Sequence, residues 1–412
     1  MQVLSEQLPA LLQQVSGYIY PNEFELHWGL PVVIYPYLTG LVAGAFVMAS
    51  LDRVFHVKAV EPAYRLALLT ALSFLLIAPL PLLLHLGHPE RSYEIFLTPN
   101  PHSAMAVFGF VYAWVLIAVV LLTIWFEYRQ DLVMWSQQER GVKRLLHRVL
   151  TLGATDISER AVEFDRRAVH FISIVGIPSV LLLTGYVGFL FGSVKANPWW
   201  SSVLIPVVFL FSAIVSGIAM VLILNLVSGL LRQSLDMVCV DKLAKFLFFA
   251  LAVDFSLEVL DFIHRLYESD ESIHILSQLI STRLFFSLVI LQALLGTLLP
   301  LIIIGSVAPV FSSRALIAVP QELRRLLYLG AAVLIQIGIF SMRWNVVIGG
   351  QLFSKSLRGF TVYEVPLFGL EGLLAGALLL ALPFFLLYLL IQILPPWKEA
   401  GSHTGQPAAS GD

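Results

Sequence analysis

Trp28–Ala49, WGLPVVIYPYLTGLVAGAFVMA, runs for 22 residues without a charged side chain. At a rise of about 1.5 Å per residue, a helix of that length crosses the roughly 30 Å hydrocarbon core of a bilayer. The whole apolar stretch covers 28–51, and eight more of spanning length follow, near 65–87, 104–127, 168–192, 202–227, 243–266, 282–305, 326–348 and 366–394. A tenth span would have to be made from 305–320, where Pro309, Ser312, Ser313, Arg314 and Pro320 oppose a helix in lipid. Composition agrees: 58% of residues are hydrophobic and only 13% charged, against about a quarter charged in soluble domains. The expected fold is an all-α polytopic membrane protein with about nine transmembrane helices, or ten if 305–320 also crosses.

Charge sets the orientation. Arg53, Lys58 and Arg65, eight basic residues from Arg129 to Arg167, Arg232, Lys242, Lys245, Arg314, Arg324, Arg325 and Lys398 fall on one side, 18 of the 25 Lys and Arg. The positive-inside rule then puts the N-terminus outside and the C-terminus inside. Residues 1–27 become an extracytoplasmic segment, and 128–167 a solvated cytoplasmic connector resting on the headgroups. Residues 398–412, small and polar, are expected to be a disordered cytoplasmic tail. No basic stretch precedes the first apolar run, so a cleavable signal peptide is not expected. The near-balance of 25 basic and 27 acidic residues gives no sign of a nucleic-acid partner. A single cysteine, Cys239, cannot supply the ligands of an iron–sulfur cluster or a structural zinc site. No metal site is expected in this chain.

The sixth span breaks the apolar pattern. In AVDFSLEVLDFIHRLYESDE (252–271), Asp254, Glu258, Asp261 and His264 recur at spacings of 4, 3 and 3, near one helix face. A charged carboxylate in hydrocarbon costs a few kcal/mol or more and normally faces a bundle interior or a water-filled path. Three acids outnumber the cations available to them, so at least one is expected to hold a proton at neutral pH and to exchange it. Pairing of these acids with Arg343 is the structural alternative. Asp254 lies about 15 Å inward of His264 along the helix, and only Gln336, Asn225 and Gln292 continue the stripe on the inner side. Other polar residues gather at the outer level: Glu23, Glu25, His27 and Trp28; His85 through Arg91; Tyr93, Glu94 and His102; Arg343 to Asn345; Gly349 to Gln351. They point to one polar pocket near the outer leaflet. His85 and His88, at i and i+3, serve there either as ligands or as caps to the second span, and His88, Glu90 and Arg91 alternatively form a knot at a turn. Haem is not expected, because His27, His85, His88 and His264 share one surface and no inner pair continues an electron path. Glu371 is given no role. Gly40-Leu-Val-Ala-Gly44 is a small-xxx-small pattern of close helix packing.

These stretches resemble the membrane subunits of the NrfD/polysulfide-reductase (PsrC-like) family, found in respiratory iron–sulfur complexes. The likeness rests on Trp28–Ala49, on His85-Leu-Gly-His88-Pro-Glu-Arg91 and on Met342-Arg-Trp-Asn-Val-Val-Ile-Gly-Gly-Gln351, and it covers about residues 20–395. Asp261-Phe-Ile-His-Arg-Leu-Tyr-Glu268 and Leu357-Arg-Gly-Phe-Thr-Val-Tyr-Glu-Val-Pro366 look most similar to DsrP, the membrane subunit of the DsrMKJOP sulfur-metabolism complex. The resemblance implies two four-helix bundles, 28–192 and 193–348, with 349–397 as an outer loop and accessory helix. It further implies a prokaryotic cytoplasmic membrane and a menaquinone or ubiquinone pocket at the outer face of the first bundle. An extracytoplasmic, ferredoxin-like iron–sulfur subunit would dock there, with a multihaem cytochrome c and cytoplasmic iron–sulfur subunits as further partners. His27, His85, His88, Arg91, Tyr186, Arg343 and Asn345 are the expected quinone-site residues. Asp254, Glu258, Asp261 and His264 are the expected proton-exchange groups. One departure stands out: many relatives carry a tyrosine directly before Thr-Gly in the fourth span, where this chain has Leu183, and Tyr186 after the glycine is the stand-in.

On this reading the chain belongs to a quinone-dependent oxidoreductase complex of sulfur metabolism, with proton translocation as a further role. The competing classes are a proton-coupled transporter using the acidic stripe, and a purely structural anchor. A transporter would gather polar residues and paired helix breaks near the midplane, whereas here they lie toward one surface.

Overall fold

The computed structural model describes residues 16–397 apart from 24–25, 99, 101, 269–271 and 311–315, and gives the backbone alone for 104–106 and 268. The expected tail, 398–412, and residues 1–15 lie outside the described residues. The apolar run that begins at Leu30 folds as α1, Leu30–Arg53, with Pro31 in its first turn, where a missing N–H leaves no bond unmade. Then come α2 (Glu61–Ile77), α3 (Pro79–His85) and α4 (Ala104–Trp114), which passes through a π-helical segment, Val115–Leu121, into α5 (Leu122–Gln138). Helices α6 (Gly141–Leu150), α7 (Glu159–Gly192), α8 (Ile205–Arg232) and α9 (Met237–Glu268) follow. After α10 (Ile273–Thr282) a second π-helical segment, Phe285–Leu298, leads into α11 (Leu299–Val307), then α12 (Gln321–Val347) and α13 (Leu373–Ile393).

Among the described residues, eight helical segments are long and apolar enough to cross a membrane. The stretch expected as the sixth span is the 32-residue α9, about 48 Å long at 1.5 Å per residue. Its charges alone keep it out of that set, so the nine expected spans are the eight plus α9. Between Val307 and Gln321 the described residues form no helix, and 311–315 lie outside the described residues. The protein is a multi-pass membrane protein.

Helices α1 and α8 form the buried centre: α1 packs against α2, α7, α8 and α12, and α8 also against α7, α9 and α12. Their contact is made by glycine. A Cβ on Gly44 would stand 2.1 Å from the Ala213 carbonyl oxygen, and one on Gly217 would stand 2.2 Å from the Gly44 carbonyl carbon. The small-residue pattern of the first span thus serves close backbone approach. Gly296 and Gly338 do the same between the second π segment and α12. Helix α13 lies against α2 and α1.

Two departures from the sequence reading stand out. The connector 128–167 is mostly helical, because the periodicity of Tyr128, Leu132 and Val133, all buried, carries α5 past the end of the apolar run. Buried Arg129 pairs with Asp165 at 2.6 Å and ties α5 to α7. The fold is also not wholly helical: β1 (Ser16–Tyr18) pairs antiparallel with β2 (Arg358–Phe360), Ser16 opposite Phe360. Gln351 adds to this cap by accepting from the Trp28 amide at 3.1 Å and donating to the Trp28 carbonyl at 3.1 Å.

Candidate functional site

The acidic face of α9 turns into the protein. Asp254 is buried and Glu258 and Asp261 are half-buried, but His264 is exposed and Arg265 takes the inward place. The helical period explains the exchange: at about 100° per residue, position 265 returns to within roughly 20° of position 254, while 264 lies about 80° away. Asp261 accepts from the Ser202 hydroxyl and pairs with Arg265 at 2.9 Å, and Arg265 donates to the Pro198 carbonyl at 2.7 Å. His264 lines a separate polar hollow with Lys195, Ser201 and Ser202.

Glu258 ends a chain of hydrogen bonds. Gln292 Nε2 donates to Glu258 Oε1 at 3.0 Å, and Asn345 Nδ2 donates to Gln292 Oε1 at 2.8 Å. Ser287 Oγ in turn donates to Asn345 Oδ1 at 2.5 Å. Glu258, Asp261, Arg265, Gln292 and Asn345 line a cavity of about 320 Å³ between α8, α9, α12 and the second π segment. Widened π-helical turns recur at functional sites, and this one carries both Ser287 and Gln292.

Arg343 on α12 is fully buried, with its guanidinium carbon 4.0 Å from the centre of the Phe209 ring and Nη2 donating to Ser212 Oγ at 2.7 Å. A Cβ on Gly40 would stand 3.7 Å from that Nη2, an ordinary contact distance, so α1 borders the guanidinium here. Arg343 lies within electrostatic reach of Asp254 and Glu258. Yet its Nε has no hydrogen-bond partner among the described residues, and neither has Asp254 Oδ1. The direct pairing weighed from the sequence is replaced by an interaction at a distance.

A second group of polar side chains lies at the N-terminal face, around the start of α1. His85, the last residue of α3, places Nδ1 2.8 Å from Glu371 Oε1. Tyr363 accepts from the Leu30 amide at 2.9 Å. A Cβ on Gly29 would meet Glu371 Oε2 at 2.7 Å and the Tyr363 oxygen at 3.0 Å, so His85, Glu371 and Tyr363 form one cluster packed closely against this glycine. Burial, and then the Glu371 carboxylate, push the Tyr363 hydroxyl above the usual tyrosine range, against the pull of the Leu30 amide. Along α1 from there, Tyr35 meets Phe108 edge-on at 5.4 Å and Phe108 stacks on Tyr186 at 5.7 Å. The Tyr35 hydroxyl is buried without a hydrogen-bond partner among the described residues.

The other expected residues lie apart from this cluster. The helix ends at His85, so His88 does not share its face; it pairs with Glu90 at 3.0 Å in an exposed turn. Arg91 stands 3.7 Å from Glu94 in the same turn. His27 opens on a pocket of about 290 Å³ with Trp28, Asn197, Trp200 and Lys355. The one pocket expected from the sequence is therefore several. Glu25 lies outside the described residues. Among the described residues, no three His, Cys, Asp or Glu side chains gather as a metal site would need.

With this architecture in place, the sequence profile of the family described as Polysulphide reductase, NrfD matches residues 21–355. The chain belongs to that family. Among its relatives is a selenate reductase subunit of Mesobacillus selenatarsenatis, 31% identical over 326 residues, covering 78% of this chain and 73% of that protein. A putative dimethyl sulfoxide reductase membrane subunit of Halobacterium salinarum is 27% identical over 201 residues, 49% of this chain and 43% of its own length. Protein NrfD of Escherichia coli is 27% identical over 217 residues, 52% of this chain and 63% of its own. These relatives support the NrfD family as a whole rather than the DsrP branch.

Sequence reasoning missed Glu371 and Ser287. Glu371 lies beyond the matched stretch and finds His85 across 286 positions of chain, with no local pattern to announce it. Ser287 carries no charge, and its signal is only that it stands one turn before Gln292 in an otherwise apolar span.

Proposed function

We propose that this NrfD-family chain is the quinone-interacting membrane subunit of a reductase complex of the prokaryotic cytoplasmic membrane. It would pass electrons between menaquinone or ubiquinone and an iron–sulfur partner at the N-terminal face, which the positive-inside rule puts outside. The observation that carries this reading is the His85–Glu371 pair, 2.8 Å apart, at the membrane-level end of the first four helices. When bound, a quinol supplies two electrons and two protons on oxidation. An imidazole held by a carboxylate at Nδ1 presents Nε2 for a head-group proton, and the carboxylate stabilises the cation that results. The residues fit: Tyr35 has a hydroxyl without a partner among the described residues, and Phe108 and Tyr186 supply flat apolar walls. His27, His88 and Arg91 would line the approach of the partner subunit.

Asp254 and Glu258 are the proposed proton-exchange groups, with Asp261, held by Arg265, and His264, in its separate hollow, as their proposed outlet; Arg343 would offset their charge from a distance and Asn345 serve as a neutral hydrogen-bond partner. Proton translocation across the membrane is the stronger version of this role. The division into helical bundles at 28–192 and 193–348 is carried with the proposal. The relatives named for selenate and dimethyl sulfoxide reductases suggest a catalytic partner acting on an oxidised chalcogen compound. A DsrP-like place in sulfur metabolism, with a multihaem cytochrome c and cytoplasmic iron–sulfur subunits, is the narrower form and rests on Asp261–Glu268 and Leu357–Pro366.

Purification of the native complex, with its subunits identified and its quinone extracted from one sample, tests the reading. An iron–sulfur subunit with stoichiometric quinone, lost in His85→Ala, is the expected result. A solitary chain without quinone that drives proton-coupled uptake would replace it with the transporter.

A further inference from the structure

A cavity of about 610 Å³ touches the clusters described so far only at Ser287 and is bounded by α1, α2, α8, the second π segment, α12 and α13. Six aromatic side chains line it, Tyr37, Phe74, Phe286, Phe340, Trp344 and Phe384, and no charged residue does. Phe286, Val333, Ile337 and Phe384 along it are exposed, so at membrane depth the cleft opens sideways to lipid. A volume of this order takes a ring-sized head with the start of a hydrocarbon tail.

Its three hydroxyls share one property. The Tyr37 hydroxyl donates to Gln336 Oε1 at 2.9 Å, and Ser341 Oγ donates to the Ser287 carbonyl at 2.7 Å. Ser287 Oγ donates to Asn345 Oδ1 at 2.5 Å. A hydroxyl has one hydrogen to give and two lone pairs to accept with. All three hydroxyls have spent their hydrogen on the protein and offer the cleft lone pairs only. Gln336 Nε2 gives one of its two hydrogens to the Ser216 carbonyl at 2.6 Å. The sense of the chain follows from its far end. An ionised Glu258 only accepts, so the Gln292 amino group faces it; Asn345 must then donate to Gln292, and Ser287 to Asn345.

We propose that this cleft is a second lipophilic-ligand site, selective for a hydroxyl donor, the reduced quinol form of an isoprenoid quinone, and linked to Glu258 through Ser287, Asn345 and Gln292. At Ser287 an oxidised quinone, which brings only carbonyl acceptors, finds no hydroxyl hydrogen while Glu258 is ionised, whereas a quinol hydroxyl can donate to Ser287 Oγ. The ligand's class rests on the quinone reading given above; the site and its donor selectivity rest on the cleft.

Titration of the full-length chain in its complex, in lipid nanodiscs, with menadiol and separately with menadione provides the test. Leu380→Trp, which fills the cleft from α13, should remove one class of menadiol sites, and His85→Ala the other. Ser287→Ala should weaken menadiol by about five- to tenfold, the worth of one hydrogen bond, and leave menadione within about twofold. Equal losses for both forms would overturn the donor selectivity. Unchanged menadiol binding in Leu380→Trp with complete loss in His85→Ala would overturn the second site and leave the quinone reading standing. Release of a co-purified phospholipid by Leu380→Trp, with menadiol binding intact, would make the cleft a lipid seat and overturn the proposal. Loss of all binding in Leu380→Trp alone would keep the cleft and overturn the His85 site. No menadiol binding in the unaltered complex would overturn both.

Discussion

Two buried clusters of charge stand in different parts of this molecule, and they are built in opposite ways. Around the Arg53 end of α1, every acid meets a base. Arg53 pairs with Glu127 at 2.9 Å and Asp52 at 3.2 Å, Arg65 with Glu127 at 3.1 Å and Asp131 at 2.7 Å, and Arg129 with Asp165 at 2.6 Å. Tyr64 and Tyr128 cover two of the guanidinium groups, at 4.3 Å and 4.6 Å. Around α9, Asp254 and Arg343 are as deeply buried, yet among the described residues neither stands in an ion pair, and Arg343 turns to the Ser212 hydroxyl instead. A closed ion pair resists any change of charge, because removal of either partner strands the other. Charges held apart leave room for a proton to come and go, which is what supports the proton role proposed for the α9 acids.

The largest effect expected from this contrast is structural. Arg129→Ala strands Asp165 among buried neighbours and should cost about 3–5 kcal/mol, read as loss of folded protein in detergent melting. Normal yield and melting would show that the lock is dispensable. Next comes Glu258→Gln, which keeps the Gln292 contact but removes the titrating group. Quinol-dependent turnover should fall by about a hundredfold, in the range of a lost general acid–base group, with assembly intact. Full turnover would reduce the α9 cluster to a second structural device, and lost assembly would favour the structural anchor. A smaller effect is expected from a double-mutant cycle on Asp254→Asn and Arg343→Met. A coupling of about 1 kcal/mol in stability fits charges that act at a distance, whereas the cost of a broken buried pair would mean that they meet directly. The smallest belongs to Lys58→Ala: Lys58 is mostly exposed and only one of two bases near Asp52. Its loss should change stability by less than about 1 kcal/mol.

The sequence carried the membrane architecture well, because hydrocarbon imposes a length and a composition that each span must meet on its own. It read span ends less well. Helices α5 and α7 run on beyond the bilayer-length window, held by Tyr128, Leu132 and the Arg129–Asp165 pair, which no apolar count detects. The acidic face of α9 was legible as far as Asp261, and failed at His264 because spacings of 4, 3 and 3 drift off the 3.6-residue period. His85 was legible as a polar residue at the right level, but its partner was not. Gly29, His85 and the stretch that holds Tyr363 and Glu371 come from three distant places in the chain, and only tertiary packing brings them together. Likewise the β1–β2 pairing joins segments more than 300 residues apart, and each is too short to declare a strand.

The contact of Gly44 with Gly217 bears on how any signal travels. Backbones that touch leave no side-chain layer to slide over, so α1 and α8 form one close-packed spine. A machine that rocks one half against the other would need a seam there, where this molecule has a weld. On the proposed reading, traffic between the His85 cluster and the α9 acids would then be light: a proton, an electric field or a diffusing ligand.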